Sequence, residues 1–243
     1  MSAFWGPRLE TPEELAGRWI ELMERLQAVD PLLAHWYDSD SRNAPIVPYV
    51  ADKVRVTKMI AAGVVRDDEG KPDPFHGYHV TAYTTAAWRR SPRRLCAELL
   101  AGTPSPYLTN SAGLSTDFDT VPDPAIVTYK IFKGAVLALA ECFDAAGVRA
   151  YPSDLSGFWT KIGGRRKAID LAWISYIAPR FAAQITPPSS AIVEHQPDGG
   201  LLMAATDKTF VTSNPAHVAV SREIEAACAP FNALSFPPGE KAG

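Results

Sequence analysis

His76 and His79 stand three residues apart, and Asp117 and Asp119 two apart. Imidazoles and carboxylates are the usual ligands of a hydrolytic metal centre, so these four are the material for a small metal-dependent hydrolase or ligand-binding enzyme. The spacing argues against it. The segment around His79 reads as a strand, where residues three apart point to opposite faces. There is no Cys-x-x-Cys and no His-Glu-x-x-His, and the spacing of His195 and His217 specifies nothing. Ser115 lies in Ala-Gly-Leu-Ser-Thr-Asp, which lacks the second glycine of a nucleophile elbow. Cys142 and Cys228 fall on apolar helix faces, where a cysteine is a small hydrophobe. The run Lys161 to Lys167 joins Gly163-Gly164 to four positive charges, but without the Walker pattern it reads as a solvated basic turn. Arg89, Arg90, Arg93 and Arg94 around Pro92 fit an edge guarded by charge. The sequence therefore assigns no catalytic residue, no metal ligand and no cofactor.

The acidic groups offer a different chemistry. Asp117, Phe118 and Asp119 lie in a long stretch rich in turn residues that also holds Tyr107. Trp36 and Tyr37 are followed by Asp38 and Asp40. Aromatic side chains beside carboxylates on irregular backbone suit the binding of a basic protein surface. The interface expected from the residues is thus Trp36, Asp38, Asp40, Tyr107, Asp117, Phe118 and Asp119. Each carboxylate fits a helix cap or a solvated turn as well.

The elements that must position these residues can be read in part. Thr11-Pro12-Glu13-Glu14 combines a cap, a proline at the first helical position and a glutamate three after the cap. Leu15, Trp19, Leu22, Met23 and Leu26 follow at helical spacing. Asp30-Pro31 restarts the pattern, so Leu32, Leu33, Trp36 and Tyr37 read as a second short helix. Phe4 and Trp5 precede the first cap and would pack back on its stripe. A helix is expected over 52–62, stopped by Gly63. Tyr78, Val80, Ala82 and Thr84 alternate with polar neighbours, a strand pattern, and 93–100 reads as a second strand. The stretch 102–124 is the longest irregular one and is expected to be a functional loop. The strongest helix is expected over 124–146, opened by Asp123-Pro124 and ended by Gly147, with Ile131, Val136, Leu139 and Phe143 in the core. Residues 171–177 read as a buried strand, 191–206 as a hairpin about Pro197-Asp198-Gly199-Gly200, and 215–229 as a helix capped by Asn214. The chain should fold as one α+β domain over 1–243, an antiparallel sheet covered by helices, with a frayed tail over 231–243.

Composition narrows the class. The 243 residues are 47% hydrophobic and 21% charged, enough to bury a sizeable core. The net charge of −3 argues against a nucleic-acid binder. Basic residues gather in the middle of the chain and acidic ones toward both ends, a dipolar surface that suits a charged protein partner. No stretch is apolar and long enough to span a bilayer, and the first residues show no secretory signal. Three widely spaced cysteines read as reduced thiols, so the expected location is cytoplasmic.

Several blocks carry a family resemblance. They are Phe4-Trp5-Gly6, Trp19 with Leu22, Asp30-Pro31-Leu32 with Trp36-Tyr37, and Gly77-Tyr78-His79-Val80. Near the end come Gly199-Gly200-Leu201-Leu202-Met203, Ala205-Thr206-Asp207 and Asn214-Pro215-Ala216-His217-Val218-Ala219. Together, over about 4–230, the chain resembles the immunity protein 52 family of bacterial polymorphic toxin systems. The resemblance implies a non-enzymatic α+β cytoplasmic protein that binds a toxin encoded beside it. In that family the toxin is usually a DNA-cutting nuclease with a restriction-endonuclease-like fold, often delivered by type VI secretion. It implies no catalytic residues and supplies no binding motif that can be carried over.

Overall fold

The computed structural model describes residues 1–38, 47–86, 91–116, 120–152, 161–162 and 165–235. Helix α1, Pro12–Val29, starts as its cap predicts. The Thr11 hydroxyl accepts from the Glu14 amide, and the Glu14 carboxylate accepts from the Thr11 amide. Leu15, Trp19, Leu22 and Leu26 are wholly buried along one stripe. The second short helix is cut down by Asp30, which caps only a single 3-10 turn, Pro31–Leu33; Tyr37 already belongs to strand β2, Tyr37–Asp38. β3, Val47–Pro48, pairs with it. Helix α2, Lys53–Ala62, stops at Gly63 as expected.

Strands β4, Tyr78–Tyr83, and β5, Leu95–Ala101, form the expected pair. The long irregular stretch after them is not one loop. Its middle is β6, Asn110–Thr116, an inner strand of the sheet. Apart from Leu114 its residues are small or polar, so it lacks the bulky alternation that marks a strand in sequence. β1, Ser2–Trp5, lies between β6 and β7, Gly147–Ala150. β10 (Ile174–Ile177), β11 (Ile192–His195) and β12 (Leu201–Ala204) complete that half. A two-residue hairpin of β8, Lys161–Ile162, and β9, Arg165–Arg166, stands apart. Among the described residues ten strands make one sheet in the order β11-β12-β10-β7-β1-β6-β5-β4-β2-β3, with every pairing antiparallel.

Helix α3, Tyr129–Phe143, is shorter than the sequence predicts. Asp123 caps a turn, accepting from the Ala125 amide at 2.9 Å, while Thr128 caps the helix itself. At its far end Asp144 takes the left-handed conformation, and Gly147 already belongs to β7. The last carbonyls of α3 need donors. Arg8 donates to the Phe143 carbonyl and Arg18 to that of Cys142, both at 2.9 Å. The buried Glu10 carboxylate lies 3.0 Å from Arg8 and 2.8 Å from Arg18 and holds both in place. These two contacts are charge pairs, not aligned hydrogen bonds.

Helices cover both sides of the sheet unequally. Trp5 stacks on Phe143 of α3 at 5.0 Å, and α1 and α2 pack on the same side. Its neighbour Phe4 points the other way and meets Phe231 of α6, Ala229–Ser235. That second layer also contains α4, Pro179–Ala182, and α5, Pro215–Ala227. It lies over the β1, β7 and β10 half. Asn232, expected to be frayed, is buried: its side-chain amide accepts from and donates to the backbone of Ile169. A single hydrophobic cluster runs from Ala3 to Phe231 and contains Ile131, Val136, Leu139 and Phe143 as expected.

Candidate partner-binding surface

On the second side, no helix among the described residues packs over β4, β5 and β6. Strand alternation sends Val80, Ala82, Ala97, Leu99, Ala112 and Leu114 into the core. Their neighbours form three rows on the opposite face. Tyr37, Tyr83, Cys96 and Ser115 make one; Thr81, Glu98 and Gly113 the next; His79, Leu100 and Ser111 the third. Diagonally across it, the His79 Nε2 meets Glu98 Oε1 at 2.7 Å. That hydrogen bond raises the imidazole pKa and lowers that of the carboxyl. Arg94 covers the Tyr83 ring at 4.1 Å. Burial pushes the Cys96 thiol up to about 11, so it is not a nucleophile at neutral pH.

One end of this face is apolar. Asn110, fully buried, accepts from the Thr103 amide and donates to the Thr103 and Gly6 carbonyls. Thr103 and Ser105 hydroxyls then accept from the amides of Ser105 and Tyr107. The turn is fixed by these bonds, and it holds Tyr107 78% exposed. Segments 6–11 and 74–77 both abut Thr103. Arg8 donates its amide to the Thr103 carbonyl, and Gly77, at φ +84°, lies so close that a Cβ would sit 2.4 Å from the Ala101 oxygen. Leu9, Phe75, Leu100 and Leu108 are exposed at the same end. The turn that leads into Phe75 carries Asp67, Asp68, Glu69 and Asp73. The same turn also holds Arg66 and Lys71.

Trp36 is 5% exposed, and its indole donates to the Leu33 carbonyl. Asp38 is 4% exposed and faces Arg55 at 3.4 Å. Both side chains are thus buried in the isolated chain. Tyr107 is the expected residue that the structure places on the surface. Asp40, Asp117, Phe118 and Asp119 lie outside the described residues. Phe75 and Leu9 went unnoticed because each is a lone apolar residue in a polar segment, a pattern that in sequence signals nothing.

Of the candidate catalytic groups, Asp117 and Asp119 lie outside the described residues. His76 binds Asp73 at 2.6 Å and His79 binds Glu98. No group of three or more His, Cys, Asp or Glu able to hold a metal occurs among the described residues. Burial pushes the thiols of Cys142 and Cys228 up to about 12. Arg93 is engaged by Asp123 at 2.7 Å. No helix among the described residues is long and apolar enough to cross a membrane.

An antiparallel sheet with helices on both sides, and with no helix among the described residues over one face of β4, β5 and β6, is an α+β fold. No curated protein matches the chain. Residues 1–231 match the family model described as Immunity protein 52, and the chain belongs to that family. It is thus an immunity protein, whose partner is a cognate toxin.

Proposed function

We propose that this protein neutralises a DNA-cutting nuclease toxin by stoichiometric binding, without turnover, in the cytoplasm of the cell that makes the toxin. The observation that supports this interface is the hydrogen-bonded turn that holds Tyr107 exposed, with Leu9 and Phe75 exposed on segments that abut Thr103 and Asp67, Asp68 and Glu69 preceding Phe75 in the sequence. A nuclease holds DNA in a basic cleft. Exposed aromatic rings supply contact area there, and carboxylates steer association and pair with lysine and arginine. The open rows on β4, β5 and β6 continue the surface. Asp117, Phe118 and Asp119 remain in the proposal on their chemistry alone; Trp36 and Asp38 leave it because they are buried. Delivery of the toxin by type VI secretion belongs to the same proposal.

The test is co-expression with the product of the adjacent toxin gene. The two should co-purify one to one, and the complex should leave plasmid DNA intact where free toxin cuts it. Charge reversal at both Asp117 and Asp119 should slow association in low salt, with less effect in high salt. A toxin that cleaves something other than nucleic acid would refute the nuclease reading. Failure to bind any adjacent product would refute the partner.

A further inference from the structure

β11 is one edge of the ten-stranded sheet, and no strand among the described residues pairs with its outer side. Its register decides which backbone groups that side presents. The Gln196 amide donates to the Gly200 carbonyl at 2.8 Å, so these two residues form a hydrogen-bonded pair. Hydrogen-bonded and open pairs alternate along an antiparallel ladder. Ile192 and Glu194 therefore bond inward, to Ala204 and Leu202, while the N–H and C=O of Val193 and His195 point away from β12. The other side of β12 agrees. The Ala205 amide donates to the Trp173 carbonyl, which turns the odd-numbered residues of β12 toward β10 and the even-numbered ones toward β11. Beyond the ladder, neither the Val193 nor the His195 amide has an acceptor among the described residues.

The two edges of the sheet are built differently. β3 is two residues long, and one of them is Pro48, which has no N–H to offer. β11 is four residues long and contains neither proline nor lysine. Its carboxylate does not guard it, because Glu194 turns to Lys133 of α3 at 2.5 Å. Ile192 and Val193 pack against the core cluster and hold the strand in place. An edge with free backbone groups and no such guard is a template for another strand.

A second copy of the chain fits this edge poorly in a two-fold antiparallel pairing. Val193 set opposite His195 brings Glu194 against its own counterpart, and like charges directly opposite are destabilising. Val193 opposite Val193 sets His195 against Ala191, whose amide is already donated to the Pro188 carbonyl. His195 opposite His195 sets Val193 against Pro197, which has no N–H. Each self-pairing meets a repulsion or loses a bond. That leaves a foreign strand, and the family to which the chain belongs has a cognate toxin as its partner.

We infer that the outer edge of β11 receives an extended segment of the toxin, which adds a strand to the sheet and bonds to the backbone of Val193 and His195. The inference rests on the immunity reading. It is a contact separate from the Tyr107 turn, since β11 lies six strand spacings from β5, about 29 Å at about 4.8 Å each. Recognition runs through main-chain groups, two donors and two acceptors, so the exposed His195 side chain matters little to it.

The test has two arms, both with the product of the adjacent toxin gene. In the first, amide hydrogen exchange is followed residue by residue by NMR on the wild type, free and bound. In the free protein Val193 and His195 should exchange fast and Glu194 slowly. In the complex both outward amides should slow at least tenfold. In the second, surface kinetics compare two variants. His195→Pro removes an outward N–H and leaves the inner ladder intact, so it should release toxin at least tenfold faster. His195→Ala keeps the N–H and should release it at the wild-type rate. The exchange arm needs no variant, so it decides the matter if His195→Pro fails to fold. Unchanged exchange at both amides in a toxin complex overturns the inference and leaves the immunity reading standing. So does wild-type release by a folded His195→Pro, or equally fast release by both variants, which would mark a side-chain contact. Amides already protected in a free protein that sediments as a dimer would assign the edge to a second copy and overturn it too. A wild type that binds no toxin overturns both the inference and the immunity reading.

Discussion

Replacing Glu10 by alanine tests how the end of α3 is fastened to the rest of the fold. The carboxylate is 4% exposed, and the guanidiniums it holds, Arg8 and Arg18, are 26% and 32% exposed. Removing one member of a buried charge constellation costs about 3–5 kcal/mol, because the remaining charge is stranded. Here the arginines can partly rehydrate, and each keeps its bond to an α3 carbonyl. The expected loss is therefore about 2–3 kcal/mol. For a chain of this length each kcal/mol moves the melting temperature by about 2–4 °C, so a fall of about 4–12 °C should appear in calorimetry. Glu10→Gln keeps the shape and the acceptor but not the charge, and should lose about half as much. Arg18→Ala combined with Glu10→Ala should cost less than the sum of the two single changes, since they share one network. A Glu10→Ala protein within 0.5 kcal/mol of wild type in urea melts would refute the reasoning, and the α3 terminus would then be held by Trp5 and Phe143 packing alone.

Leu139→Ala, at a wholly buried position of α3, should cost about 2–5 kcal/mol and be visible in the same melts. The His79–Glu98 pair should add stability in a window. The raised histidine favours the fold below about pH 6.5, an advantage lost as pH rises through its folded pKa. The lowered carboxyl favours it above about pH 4.5, an advantage lost as pH falls through its own. The stability difference between wild type and His79→Ala should thus be largest near pH 5.5 and shrink by pH 8.5; about half exposure keeps it under about 1 kcal/mol. Chemical denaturation at the two pH values measures it, and equal differences would sink it. Tyr107→Ala should leave the melting temperature unchanged and speed toxin release about thirtyfold, the effect of a hot spot of about 2 kcal/mol. Unchanged release would remove this turn from the interface.

The fold was legible where local chemistry decides structure. The capping box at Thr11, the stop at Gly63 and the turn of Pro197 to Gly200 each satisfy backbone groups within a few residues, so short stretches of sequence suffice. β1, β6 and β7 were missed for the opposite reason. Ser2–Trp5 and Gly147–Ala150 are four residues each, too short for alternation, and Asn110–Thr116 packs its small residues only because neighbouring strands exist. Their pairing is nonlocal and leaves little trace in any one window. Exposure divided in the same way. That Trp36 and Asp38 are buried could not be read locally, since the sheet pairing of β2 decides it, and the exposure of Tyr107 depends on a turn clamped by Asn110, a residue of β6.

The place of β1 has a consequence for the timing of protection. β1 leaves the ribosome well before its partners, residues 110–113 on one side and 147–149 on the other. It can only wait while more than a hundred residues are made. At about 5–20 residues per second that interval is about 5–30 seconds, during which Phe4 and Trp5 have no sheet to enter. If the toxin proposed above is made at the same time, its neutralisation has to wait for this sheet to close. A slow codon stretch before residue 150 would lengthen that interval, and starting immunity synthesis earlier than toxin synthesis would close it.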